Sequence, residues 1–177
     1  MPDADRPPAT HPDADLAWCH EAVQGVSRTF ALTVDTLDEP MSSYICLGYL
    51  VCRIADTVED ADHIAPDEQA ALLREFDAAL DPDDEADAAD FRASVDPHLP
   101  PGDDRSADWE VVAEVERVFA TFEGLPPEVR SAVVPPAREM ATGMADFVER
   151  YADDGGLRIE TRGELEEYCY YVAGTVG

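Results

Sequence analysis

Asp56, Glu59 and Asp60 close an otherwise apolar stretch, Tyr49-Leu50-Val51-Cys52-Arg53-Ile54-Ala55. Helical winding at 3.6 residues per turn puts Tyr49, Arg53, Asp56 and Asp60 on one stripe, with Glu59 beside it. Carboxylates a turn apart repel at neutral pH unless a cation lies between them. A donor set of oxygens alone suits a hard divalent ion such as Mg²⁺, held by one or two carboxylates and the phosphates of a substrate. The pattern therefore predicts a metal-bridged phosphate. The contrary reading is a solvated acidic surface, since 40 of the 177 residues are Asp or Glu. Pairs such as Asp83 with Asp87, or Glu110 with Glu114, arise from that composition. The setting separates the two cases: Tyr44 to Cys52 is apolar on nearly all sides and reads as a buried helix, where charge is costly unless paired or metal-bound.

Three further residues could join such a site. Arg28 and Arg53 offer planar donor forks that never deprotonate and suit a diphosphate, although in so acidic a chain each could equally be a structural ion pair. Tyr168 lies on a mostly apolar helical face, where the residues alone favour a core tyrosine with its hydroxyl on a backbone carbonyl.

The elements that must position these groups all read as helices. Residues 1 to 12 are rich in Pro and Asp and are expected to be disordered. Leu16, Cys19, Val23, Val26 and Phe30 then recur at steps of three or four, one amphipathic helix with Arg28 near its end. Pro40 and Ser42 open the helix bearing Tyr49 to Asp60, and Pro66 starts another with Leu72, Leu73, Phe76 and Leu80 inward. Residues 81 to 106 read as a long acidic surface loop with at most a short helix near Ala88 to Val95. Periodicity resumes from Ser106 to Phe122. Met140, Met144, Phe147 and Tyr151 form the inward stripe of the next helix, which Pro135-Pro136 should kink or divide. Thr161-Arg162-Gly163-Glu164 has the form of a capping box, opening a helix with Leu165, Tyr168, Cys169, Val172 and Val176 on one side. No strand pattern or repeat emerges, so the expected class is all-α, one domain over 13 to 177.

Composition adds a separate message. The formal charge is -28, and all 12 basic residues are Arg, with no Lys. Such charge destabilises a compact state by self-repulsion and is screened over about 3 Å in 1 M salt, which points to a halophile's protein. A hydrophobic content of 45% argues against disorder of the whole chain. The negative surface disfavours nucleic acid and anionic membranes as partners. No uncharged run approaches the roughly 20 residues of a membrane span, and the N-terminus lacks the features of a signal peptide, so a cytoplasmic protein is expected. Cys19, Cys46, Cys52 and Cys169 show no C-x-x-C spacing and read as core thiols; His11, His20, His63 and His98 form no ligand pattern and read as surface residues.

Ser27-Arg28-Thr29-Phe30, the run from Tyr49 to Asp60, and Tyr168-Cys169-Tyr170-Tyr171-Val172-Ala173-Gly174-Thr175-Val176-Gly177 resemble, in that order, three signatures of the squalene and phytoene synthase family. Asp56-Thr57-Val58-Glu59-Asp60 is closest to the squalene synthase branch, and the block from Tyr168 is closer to phytoene synthases. The resemblance implies the N-terminal part of an isoprenoid synthase helical bundle around a central prenyl-diphosphate cavity. It implies a Mg²⁺-dependent head-to-head condensation of two prenyl diphosphates: two farnesyl diphosphates giving squalene through presqualene diphosphate, with NADPH as hydride donor, or two geranylgeranyl diphosphates giving phytoene.

By the same resemblance, Ser27, Arg28, Tyr49 and Arg53 bind diphosphate, Asp56, Glu59 and Asp60 hold the metal, and Tyr168 is catalytic together with Asp56 and Asp60. Phe30, Val172 and Gly174, with Ala173, belong to the wall of the prenyl tunnel, and product release would involve peripheral membrane contact. The family carries a second Asp-rich motif downstream of the Tyr168 block, which this sequence does not contain. Residues 1 to 177 alone are therefore expected to be inactive, with most of the nicotinamide site also absent. A reading of another class, a non-catalytic helical interaction protein on the same scaffold, leaves Arg53, Asp56, Glu59, Asp60 and Tyr168 without a purpose.

Overall fold

A computed structural model describes residues 12–176, and among these the chain is helical with no strand. The all-α expectation holds. The expected disorder of residues 1 to 12 falls, for 1–11, outside the described residues; Pro12 already begins a helix.

The centre of the fold is α3 (Met41–Glu59), in which Cys46, Leu47, Leu50, Val51, Ile54, Ala55 and Val58 are all buried. A helix apolar on nearly every side needs neighbours on nearly every side, and α3 has them. It packs against α1 (Pro12–Val26), α2 (Arg28–Asp35), α4 (Pro66–Leu80), α6 (Ala107–Ala113), α7 (Val115–Glu123) and α8 (Pro127–Arg150). Its C-terminal carbonyls are taken by one side chain from α4: the buried Gln69 donates from Nε2 to the carbonyls of Val58 (3.1 Å), Glu59 (2.9 Å) and Ala61 (3.1 Å). The end that carries the carboxylates is therefore fixed rather than frayed.

Three expectations are corrected. The stripe from Leu16 to Phe30 is two helices, because the Ser27 hydroxyl accepts the amide of Phe30 (3.3 Å) and caps α2. A one-residue break keeps the apolar phase, so periodicity does not report it. Pro135 and Pro136 lie inside α8 and do not divide it, the helix running for 24 residues. The carbonyls deprived of donors belong to Ser131 and Ala132, both exposed, where water can satisfy them. The third concerns α9 (Arg162–Cys169) and the wide turn Tyr170–Gly174 that continues it, which contain no buried residue. Leu165 is 49% and Val176 41% exposed, and Cys169 is exposed too, because this segment meets mainly α8 and its other flank has no neighbour among the described residues.

Elsewhere the pattern and the packing agree. Leu72, Leu73, Phe76 and Leu80 of α4 and Met140, Met144, Phe147 and Tyr151 of α8 are buried. Thr161 and Glu164 form the capping box that opens α9. Between α4 and α6, α5 (Ala88–Val95) opens on a second capping box, Asp87 with Asp90, and buries Phe91 and Val95. Ser106 caps α6, and a break at Glu114 separates it from α7. Cys19 and Cys46 are buried and burial pushes their thiols up to about 11 and about 12, which makes them inert. His20 is half-buried, its Nε2 3.3 Å from the Ser43 hydroxyl, and so is no simple surface residue.

Candidate active site

The stripe predicted on α3 is present, and each member meets a different neighbour. Tyr49 stacks on Phe30 of α2, ring centroids 4.0 Å apart and planes 19° from parallel. Ser27, as the cap of α2, fixes the turn from which Phe30 projects and places Arg28 at the first helical position. Among the described residues Arg28 and Arg130 are the arginines without a carboxylate partner. Arg53 does have one: its Nε donates to Oδ1 of Asp108 at 2.8 Å, across from α3 to the first turn of α6.

Asp56 and Glu59 are poorly accommodated as anions. Burial first, then the charges of Asp60 and Asp108, push Asp56 up to about 6 against the attraction of Arg53. Burial also pushes Glu59 up to about 7, with Asp60 and Asp56 adding repulsion and the Tyr168 hydrogen bond working the other way. Both lie in the last turn of a helix, where the backbone dipole is negative and no basic residue answers it. Asp60 follows at the exposed cap position. Three carboxylates thus gather at the negative end of α3, where a cation could offset their charge.

Tyr168 comes to this point from 109 residues away and donates its hydroxyl to Oε1 of Glu59 at 3.1 Å. Burial and the neighbouring carboxylates hold its proton well above the ordinary tyrosine range. The core-tyrosine reading, with a carbonyl as partner, is thereby replaced by a carboxylate contact. The ring is set by the edge of Phe147, centroids 5.3 Å apart at 64°. Its helix is seated by Gly143, where an added Cβ would run into the ring of Tyr171. Only glycine permits this approach, one turn of α8 from Phe147. Glu59, Asp60, Gln69, Phe147, Tyr151 and Tyr168 border a cleft of about 500 Å³. A larger cleft, about 920 Å³, lies between the α4–α5 loop and α8 and includes none of the candidate site residues read from the sequence, so volume alone does not locate the chemistry.

The structure thus unites Asp56, Glu59, Asp60 and Tyr168, and joins Phe30 with Tyr49 in a second pair. Phe30 and Val172 pack on the core from partly buried positions, while Gly174 is exposed, and a Cβ added there would touch the Tyr170 ring and the Cys169 carbonyl. Among the described residues no three His, Cys, Asp or Glu side chains converge tightly enough to enclose an ion by themselves. A metal here would need phosphate oxygens or water to complete its shell. Asp108, Gln69 and Gly143 belong to the arrangement but were not singled out from the sequence. Of these, Gly143, inside a periodic helix, and Gln69, on the inward stripe of α4, carry a visible flag.

Comparison with known proteins gives one answer. The squalene/phytoene synthase family matches residues 23–177. The squalene synthase of Eremothecium gossypii is 34% identical over 170 residues, covering 95% of this chain and 35% of that protein. That of Cyberlindnera jadinii is 33% identical over 174 residues, covering 97% and 36%. The solved structure of TcSQS in complex with ligand E5700 superposes with a TM-score of 0.67 at 29% identity, covering 93% of this chain and 42% of that one. The chain spans about a third of the length of the curated relatives it matches.

Proposed function

The chain belongs to the squalene/phytoene synthase family, and from that premise we propose that it carries the diphosphate-activating side of an enzyme joining two prenyl diphosphates head to head. The observation that carries this reading is the meeting of Glu59 and Tyr168 at the carboxylate-bearing end of α3. The squalene branch is favoured, with farnesyl diphosphate as substrate and presqualene diphosphate as intermediate, because squalene synthases are the relatives that match over most of the chain.

The donor set supports Mg²⁺. Asp56, Glu59 and Asp60 supply only oxygens, and for Asp56 and Glu59 burial and repulsion favour neutralisation, which a divalent cation would supply in place of protons at neutral pH. Bound there with a substrate diphosphate, the ion would offset charge developing on the leaving group. Arg53, and Arg28 with its guanidinium unpaired among the described residues, would bind phosphate oxygens. The stacked Phe30 and Tyr49 would shield the adjoining prenyl chain from water. Tyr168 Oη, beside Glu59 Oε1, would accept the proton released when the new carbon–carbon bond closes while its own proton moves to Glu59 Oε1. Among the residues bordering the cleft at Tyr168, Glu59, Asp60 and Asp62 are acidic and none is an arginine, so no cation there is matched to the phosphates of NADPH.

A chimera tests the reading. Residues 23–177 would replace the matching segment of the Eremothecium gossypii synthase, and the hydrocarbon made from farnesyl or geranylgeranyl diphosphate would be identified. Squalene production that disappears with Tyr168→Phe supports the proposal. A chimera that folds, binds Mg²⁺ and makes hydrocarbon equally well with Tyr168→Phe sinks the role given to Tyr168.

A further inference from the structure

We propose that Asp108 is a positioning residue for diphosphate capture, acting through Arg53. The inference rests on the reading that Arg53 receives a diphosphate. It adds a residue on another helix that decides which edge of the guanidinium is offered. Asp108 Oδ1 accepts from Nε of Arg53 at 2.8 Å, and the two side chains are 29% and 31% exposed, so the pair is partly shielded from water. Neither terminal amino group of Arg53 has a hydrogen-bond partner among the described residues.

A guanidinium can meet two oxygens along the edge formed by Nε and one terminal nitrogen, or along the edge formed by both terminal nitrogens. Asp108 occupies the first edge. The second is left for the ligand, aimed by two points of attachment: the stem on α3 and the carboxylate on α6. The carboxylate is itself fixed, because the Ser106 hydroxyl accepts the amide of Trp109 (3.4 Å) and sets the first turn of α6. Ordering a long side chain before the ligand arrives removes that entropic cost from binding.

Asp108 also brings a negative charge near the seat of an anion, and that acts in the opposite direction. If it served only as a counter-charge, removing it would strengthen anion binding. If it aims the fork, removing it weakens binding.

The sign is measurable by titrating inorganic diphosphate with Mg²⁺ into the 177-residue chain by calorimetry. Asp108→Ala is expected to weaken binding about tenfold. Asp108→Asn keeps an acceptor at the same place and should recover most of the affinity. Equal or tighter binding by Asp108→Ala overturns the proposal, as does an Asn variant no better than Ala. Arg53→Gln isolates the underlying reading: if it binds as well as wild type, Arg53 is no phosphate ligand and that reading fails instead. Should Asp108→Ala not fold, nitrogen NMR of the wild-type chain decides. The Arg53 Nε–H should stay protected from exchange while diphosphate slows rotation of the terminal groups, and loss of Nε–H protection on binding overturns the proposal.

Discussion

The hydroxyl of Tyr168 and Oε1 of Glu59 lie 3.1 Å apart, and this bond ties the last helix to the C-terminal turn of the central one. Each partner alters the other. The carboxylate adds to burial in holding the tyrosine proton, and the hydroxyl is the main influence that draws the Glu59 pKa back down. The function proposed for Tyr168 and the local order of its helix therefore meet at one contact.

Removing only the hydroxyl tests that coupling. Tyr168→Phe should lower stability by about 1 kcal/mol, the net worth of one hydrogen bond. It should also raise the Glu59 pKa further, because the hydroxyl's contribution is lost. Carbon NMR titration of the Glu59 carboxyl is the measurement. An unchanged Glu59 titration would show that the bond does not form in solution.

The raised carboxylates fix the sign of a pH effect. Asp56 and Glu59 keep their protons in the folded chain up to about pH 6 and about pH 7, whereas the unfolded chain releases them in the ordinary carboxylate range. The folded state then binds more protons across that window, so stability falls as pH rises from about 4 to about 7 and levels off above. Asp56→Asn should raise stability at pH 7 by roughly 1–2 kcal/mol, after allowance for solvent screening. The same substitution should weaken Mg²⁺ binding. Urea melts from pH 4 to 8 would show both, and an Asn variant less stable than wild type at pH 7 would contradict the burial argument.

Mg²⁺ should act as the converse of that substitution. Millimolar Mg²⁺ is expected to raise the melting temperature at pH 7 and to have little effect at pH 4, where protons already occupy the site. Equal stabilisation at both pH values, or an equal effect in the triple variant Asp56→Asn, Glu59→Gln, Asp60→Asn, would place the ion elsewhere.

Salt should matter independently. With 40 acidic residues against 12 arginines, a melting temperature that climbs through a KCl series to molar concentration is expected. A flat series would mean that the arginine pairs, such as Arg138 with Asp77 and Asp81 at 2.7 Å each, already contain the repulsion.

Much of this was legible in the sequence where the signal is local. The burial of α3, the carboxylates at its end and the Thr161–Glu164 cap follow from residue type and spacing within a turn or two. What stayed hidden depends on partners far along the chain. Asp108 looks like any acid in the first turn of a helix, and its role exists only because Arg53 faces it from 55 residues away. Gln69 is a polar residue on the inward stripe that continues through Leu72, Leu73 and Phe76, a signal that could have marked it as a buried cap. The division at Ser27 was invisible because the apolar steps on either side stay in phase. Leu165 and Val176 form an apolar face that burial did not follow, since a stripe states what wants covering and not what covers it.

The seating of Tyr171 on Gly143 and of Tyr168 on Phe147 sets a length standard. The two seats are one turn apart on α8, and the tyrosines step past them in the opposite direction, so the helices mesh like the teeth of a rack. Inserting or deleting one residue between 143 and 147 would rotate one seat by about 100° against the other and take Tyr168 away from Glu59. The connection from Ala152 to Glu160 has no such constraint, with Gly155 and Gly156 at positive φ and most of its residues exposed. Changes of length within this domain should therefore accumulate in that connection and be absent from residues 144–146, which space the two seats.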